Sequence, residues 1–372
     1  MVIVFYISGH GFGHAARATQ VVNALAGFAP AATLVIRAAV PEWFLRTSLQ
    51  IPAKIVPGET DSGVVQHDGL SIDEDETARG ASAFYADFDA RIERERQLLA
   101  DLRATIVVGD IPPLASAAAH AAEIPSVAIS NFTWDWIYAG MPEFDRLAPG
   151  VRQQIADANA LATLALRLPF HGGFQSMPRI EDVPLVARHA TVSRDDTRRR
   201  LGLHHSRPIV LATFGGHRGS IPLDRAADNG SFLLVATDYE VDASARVHSN
   251  LRVVTADELK RTDLTYTDLL AACDVVATKL GYGIVSECIA NDVALLYAPR
   301  GRFVEQDVFI REMPAVLRCR MIDQDDLRNG RWEGSVRALL EQPQPAGSME
   351  ANGAEVAAER ILSFRTKFSR HF

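Results

Sequence analysis

The chain of 372 residues carries 38 Lys and Arg against 46 Asp and Glu, a formal net charge of −8, and is 48% hydrophobic and 23% charged. That length suits two domains and that composition a folded globular chain, while net acidity supplies no global field for nucleic acid or anionic lipid. Three cysteines without a CxxC pair exclude a disulfide scaffold and a zinc ribbon, and a first apolar run of only six residues is too short for a membrane span or secretory signal, so a cytoplasmic protein is expected.

Residues 2–7 (VIVFYI) form a continuous β-branched apolar run, the signature of a strand buried on both faces of a parallel sheet. A Gly/His turn, 8–17 (SGHGFGHAAR), leads into an Ala-rich helix from about Ala15 to Leu25. Apolar runs at 33–37, 104–109 and 126–129 read as further strands, with helices at Ala81–Leu102 and Leu114–Ala122 between them. The acidic stretch 57–80 reads as a mobile surface loop, and 168–205, with prolines and the basic tract Arg198–Arg200, as a connector. A second series opens at 208–214 (PIVLATF), passes another Gly/His turn at 215–219, and continues with apolar runs at 232–236, 251–254, 274–277 and 293–298. The tail 347–372 ends in a basic amphipathic segment, expected to dock as a helix, with a membrane-surface helix as the alternative.

The order strand, Gly-rich turn, helix thus occurs twice. It predicts an α/β protein of two Rossmann-like, doubly wound domains, 1–185 and 186–346, with the tail packing back on the first. Ligands of open α/β sheets bind at the carboxyl ends of the strands, so a cleft between the domains is the expected site.

In the first turn, glycines allow close approach of a ligand to backbone, and a helix start directs free N–H groups into the same space. The spacing is not GxGxxG. His14, at the helix start, is the candidate base and His10 a loop-shaping residue; both could instead merely cap or pack the turn. Asp110 immediately follows the run ATIVVG on the ligand side of the sheet, where it could orient an imidazole or simply cap the next helix. Asn131, Phe132, Trp134 and Asp135 lie in SNFTWDWIY (130–138), whose aromatic faces suit a sugar ring or another flat apolar face, or else a core cluster. Gly215, Gly216, His217 and Arg218 form a turn suited to a diphosphate. Lys279, Gly281, Tyr282 and Gly283 precede a helix carrying Ser286 and Glu287, a second anion site with a carboxylate able to bind ribose hydroxyls or to face solvent. No DxD motif stands near these turns, and Asp73–Glu76 reads as a solvated acidic loop.

These residues resemble the GT-B glycosyltransferases, in particular the group holding the UDP-glycosyltransferases and the lipid-linked N-acetylglucosaminyltransferase of peptidoglycan synthesis. The matching features are Gly13-His14 before a helix, the Gly-rich turn and Ser-Glu helix at 281–287, and the strand, proline and acidic-Gln pair at Leu295–Pro299 and Glu305-Gln306. The N-terminal half, with GHGFGHAAR and SNFTWDWIY, is similar to the glycosyltransferase-like domain fused to plant arabinose kinases. The GHMP-kinase Gly/Ser-rich loop is absent, so kinase activity is not implied.

The resemblance implies a GT-B fold with an acceptor-binding first domain and a donor-binding second. His14 would deprotonate the acceptor hydroxyl and Asp110 would pair with it. Gly215, Gly216 and the helix start at Gly283 would hold the donor diphosphate. Glu287 would bind the ribose, Glu305 and Gln306 the donor sugar, and His10, Phe12 and residues 131–138 would line the acceptor side. The expected partners are a nucleotide sugar, UDP-linked, and a small-molecule or lipid-linked acceptor, with no further cofactor, no metal, no nucleic acid and no stable membrane insertion. A single displacement predicts inversion at the anomeric carbon. A sugar-nucleotide epimerase or hydrolase, and a non-catalytic nucleotide-sugar-binding module, are the competing readings.

Overall fold

Two parallel sheets carry the architecture, as seen in a computed structural model that describes residues 1–66, 70–203, 206–215, 221–228, 230–241 and 248–368. The first sheet begins with β1 (Val2–Ile7), β2 (Thr33–Ala38) and β3 (Lys54–Pro57). A small antiparallel ribbon of β4 (Val65–Gln66) and β5 (Ile72–Asp73) interrupts the series. The sheet then continues with β6 (Ile106–Asp110), β7 (Ser126–Ser130), β8 (Leu164–Arg167) and β9 (Ile180–Asp182), in the order β3-β2-β1-β6-β7-β8-β9. The second sheet comprises β10 (Ile209–Thr213), β11 (Leu233–Thr237), β12 (Leu251–Val254), β13 (Val275–Lys279), β14 (Ala294–Ala298) and β15 (Cys319–Met321). Its order is β12-β11-β10-β13-β14-β15. Both therefore wind outward from their first strand in the Rossmann manner, as the sequence pattern predicts.

The central strands are apolar along their whole length because helices cover both faces. In β1 every residue from Ile3 to Ile7 is buried. The helix Phe12–Phe28 buries Ala15, Ala18, Val22 and Leu25, a stripe with helical spacing. It starts three residues earlier than the sequence suggests, with Gly11 in the left-handed region (φ 70°) before its first turn. The single helix expected at Ala81–Leu102 is two, Glu74–Tyr85 and Phe88–Asp101. The region read as connector also departs from expectation: β9 lies within it and extends the first sheet.

The stretch 57–80 is not a mobile surface loop over its described residues. The Thr60 hydroxyl donates to the Ile7 carbonyl (2.9 Å), and Asp61 accepts from the Trp134 indole N–H (2.9 Å). Leu70 is buried among core residues of the second sheet, including Val210, Ala212 and Val275. The acidic run opens the helix Glu74–Tyr85, where Asp73 accepts from the Glu76 N–H. Carboxylates there complement the helix dipole, which is why an acidic run could be structured.

The terminal helix Gly353–Phe368 lies against the helix Phe12–Phe28 of the first domain and buries Ala354, Ala357, Ala358 and Ile361. Among the described residues no helix is long and apolar enough to cross a membrane. At Gly353 the N–H donates to the Leu185 carbonyl (2.8 Å), and a Cβ would meet the Pro184 carbonyl oxygen at 2.1 Å. Gly353→Ala should therefore lift this helix from its seat. We expect a loss of about 1–3 kcal/mol in urea denaturation, together with faster proteolysis of the C-terminal segment.

Candidate active site between the two sheets

The register of the first sheet sets the site. Ile7 of β1 pairs with Asp110 of β6, and the Ser8 N–H donates to the Asp110 carbonyl (2.9 Å). The first Gly/His turn and the Asp110 side chain therefore leave the sheet side by side at its carboxyl edge. His14, in the first turn of the helix that follows, then lies within reach: its Nδ1 is 2.9 Å from Asp110 Oδ1. A carboxylate can only accept, so Nδ1 is the donor in this contact. Asp110 does not cap the next helix, whose N-cap is Pro112, without a side-chain cap.

Sequence reading missed Arg17, one helical turn beyond His14 and on the same face. Its guanidinium grips Asp110 bidentately, Nε on Oδ2 (2.8 Å) and Nη2 on Oδ1, and is itself buried. Burial raises the Asp110 carboxyl pKa. The Arg17 charge and hydrogen bonds, with a contribution from His14, more than reverse this and hold the carboxyl below its usual range. Arg17 also lies over the Tyr282 ring, 4.7 Å from its centroid, and its Nη1 donates to Asn131 Oδ1 (2.9 Å). Asn131 Nδ2 in turn donates to Glu305 Oε1 (2.8 Å). One buried polar chain thus runs from the His14–Asp110 pair into the second domain.

The second sheet contributes its own carboxyl edge. Thr213 of β10 pairs with Thr278 of β13, which sets Gly215 beside Lys279. Gly215 takes φ +85°, and a Cβ there would stand 3.3 Å from Lys279 Nζ. Lys279 Nζ donates to Gln66 Oε1 (3.0 Å), tying the carboxyl edge of the second sheet to the segment that crosses from the first domain. The helix Tyr282–Ala290 starts at Gly281 without a side-chain cap. Its first-turn N–H groups are thus left without a side-chain acceptor. It abuts the first helix start: a Cβ on Gly283 would lie 3.8 Å from Gly13 Cα.

A cleft of about 510 Å³ lies between these edges, lined by His14, Gly215, Lys279, Gly281 and Gly283 together. That volume is in the range of small-molecule sites. His10, Phe12, Asn131, Phe132, Trp134, Tyr282 and Glu305 line it as well. Phe132 stands edge-on to the His14 ring (5.6 Å), and Trp134 lies 6.3 Å from it. His10 lies 3.5 Å from Asp61 and edge-on to Trp134. Phe12 stacks on Phe44 (4.5 Å), and Trp43 of the first domain stacks on Tyr239 of the second (5.9 Å). Trp43, Phe44 and Tyr239 carry no motif that marks them in the sequence.

Several expected site residues lie elsewhere. Glu287 does not line the cleft; it is buried against Arg188, with Nε 2.6 Å from Oε1, because a buried carboxylate needs a cation. Ser286 returns its hydroxyl to the Gly283 carbonyl (2.9 Å). Gln306 accepts from the Arg300 N–H (2.7 Å) and shapes the loop after β14. Asp135 accepts from Asn159 (3.2 Å), away from the cleft. Gly216, His217 and Arg218 fall outside the described residues. Among the described residues no group of three or more His, Cys, Asp or Glu side chains is placed to hold a metal ion.

No protein-family model matches the chain. It is 30% identical to the L-arabinokinase of Arabidopsis thaliana over 385 aligned positions, covering 100% of this chain and 35% of that protein. It is also 30% identical over 183 positions to a UDP-N-acetylglucosamine–N-acetylmuramyl-(pentapeptide) pyrophosphoryl-undecaprenol N-acetylglucosamine transferase of Clavibacter michiganensis, covering 44% of this chain and 49% of that protein. The chain thus spans about a third of one curated relative and half of the other. Among solved structures it is similar to the glycosyltransferase SnogD of Streptomyces nogalater (TM-score 0.57, 17% identity, 98% of this chain and 99% of that one). It is also similar to Arabidopsis thaliana UGT89C1 complexed with UDP (TM-score 0.59, 15% identity, 98% of this chain and 94% of that one). These whole-length likenesses establish the GT-B glycosyltransferase fold that the motifs suggest.

Removing Arg17 tests the site's construction. Arg17→Met leaves the buried Asp110 carboxylate with His14 alone in place of the bidentate guanidinium, and should cost about 3–5 kcal/mol at pH 7 in urea denaturation. The folded Asp110 pKa lies below its unfolded value, so the pair's contribution is full above the ordinary carboxylate range and fades as pH falls through the folded value. The gap between wild type and variant should accordingly narrow on acidification below about pH 4.

Proposed function

From this two-domain GT-B frame we propose that the chain is a glycosyltransferase. It moves a sugar from a nucleoside diphosphate sugar, UDP-linked, to an acceptor hydroxyl, with inversion and without a metal ion. The observation that carries the reading is that His14, oriented by Asp110, and the uncapped helix start at Gly281 face one cleft from opposite domains. The relatives agree in kind: one is named for transfer from UDP-N-acetylglucosamine, and one structural neighbour was solved with UDP.

The chemistry follows from that geometry. His14 Nε2 accepts the acceptor's hydroxyl proton while the oxygen bonds to the anomeric carbon. The bond from that carbon to the diphosphate oxygen breaks, and the nucleoside diphosphate leaves with the electron pair. Asp110 holds Nδ1–H and stabilises the imidazolium that forms. Lys279, the Gly215 turn and the N–H groups after Gly281 receive the charge that develops on the leaving group. Attack from the His14 side and departure toward the helix start lie on opposite faces of the sugar, which inverts the centre. Phe132, Trp134 and the Phe12 cluster offer the acceptor flat apolar walls.

His14→Ala should lower transfer at least ~100-fold while UDP affinity, measured by titration calorimetry, stays within about twofold. Transfer should persist in EDTA. Undiminished turnover by the variant would remove His14 as the base, and a retained anomeric configuration by NMR would remove the single displacement.

A further inference from the structure

Arg300 has no role in the reading above, yet its position asks for one. It lies just beyond β14, lines the same cleft, and is only 8% exposed. A guanidinium carries five N–H donors and cannot shed its charge, so burial demands acceptors. Among the described residues its side chain has one polar contact, Nη2 to Glu305 Oε2 at 3.4 Å, and one face against Phe303 (4.2 Å). Its Nε is buried with no hydrogen-bond partner. Glu305 is a weak counter-ion, since its other oxygen is held by Asn131. Arg300 thus brings to the cleft lining a guanidinium with more N–H donors than the acceptors found for it among the described residues. Arg17 differs sharply: its fork is filled by Asp110 and Asn131.

The location narrows what fills it. Arg300 follows β14, while the Lys279 turn follows β13, the neighbouring strand, and Gly215 follows β10, one strand further. Adjacent strands are about 4.8 Å apart, so Arg300 stands on the far side of Lys279 from Gly215. It is also joined through Glu305, Asn131 and Arg17 to the carboxylate that orients His14. That is where the transferred group would lie, between leaving group and base.

We propose that Arg300 binds an anionic substituent on the transferred sugar, so that the donor is a nucleoside diphosphate sugar acid carrying a carboxylate. The planar fork matches a carboxylate, and the ligand adds acceptors to a guanidinium that has Glu305 alone among the described residues. This rests on the donor site proposed above and adds the class of sugar it selects.

The test uses the full chain and three probes, UDP, UDP-glucose and UDP-glucuronate, titrated calorimetrically into wild type and Arg300→Met. Wild type should bind UDP-glucuronate at least ~10-fold more tightly than UDP-glucose, the scale of one charged hydrogen-bonded contact. Arg300→Met should erase that preference and leave UDP affinity within about twofold. Equal wild-type affinities for the two sugars would overturn the proposal, and need no variant that folds. So would a variant that weakens UDP as much as UDP-glucuronate, because Arg300 would then serve the diphosphate. Failure of all three probes to bind would instead defeat the donor site itself.

Discussion

The buried pair of Arg17 and Asp110 is the constraint on which the site is built. Asp110 ends a central strand and Arg17 belongs to the helix after the first strand, so their bidentate contact fixes that helix against the sheet edge. The same contact leaves Asp110 Oδ1 directed at His14. Buried ion pairs contribute little net stability against an apolar replacement, because desolvation offsets the attraction. Their value here is geometric: a charge that must be satisfied allows few arrangements, and this arrangement fixes the imidazole. The arginine also reaches the second domain, through its stack on Tyr282 and through Asn131 to Glu305. Orientation of the His14 imidazole and domain apposition therefore share one set of contacts.

The frame was legible because both-face burial writes strands as apolar runs. β1, β2, β6, β7, β10 and β14 coincide closely with runs visible in the sequence. The short strands β3, β9 and β15 were not legible; they have three or four residues each, with exposed positions, and form by pairing on a sheet already present. The segment after residue 57 was misread for a related reason. Its polar residues bond distant partners, Thr60 to Ile7 and one Asp61 oxygen to Trp134, and no local pattern encodes such bonds.

The site divides in the same way. His14 and Asp110 could be read because each stands at the end of a recognisable strand or turn. Arg17 was hidden in an Ala-rich helix, although its spacing from His14, three residues on one helical face, was a usable signal. Glu287 shows the converse. Its motif suggested a ligand, but Arg188 from the interdomain segment claims the carboxylate. A motif specifies which residue types are present; it does not specify which of them the rest of the chain has already engaged.

A diphosphate resting on the second domain would face His14 across the cleft. A crystal structure with UDP bound addresses it directly. Diphosphate oxygens should lie against the Gly215 turn, Lys279 and the N–H groups that follow Gly281, on the side of the cleft opposite His14. A nucleotide seated elsewhere, or its diphosphate held on the His14 side, would contradict it.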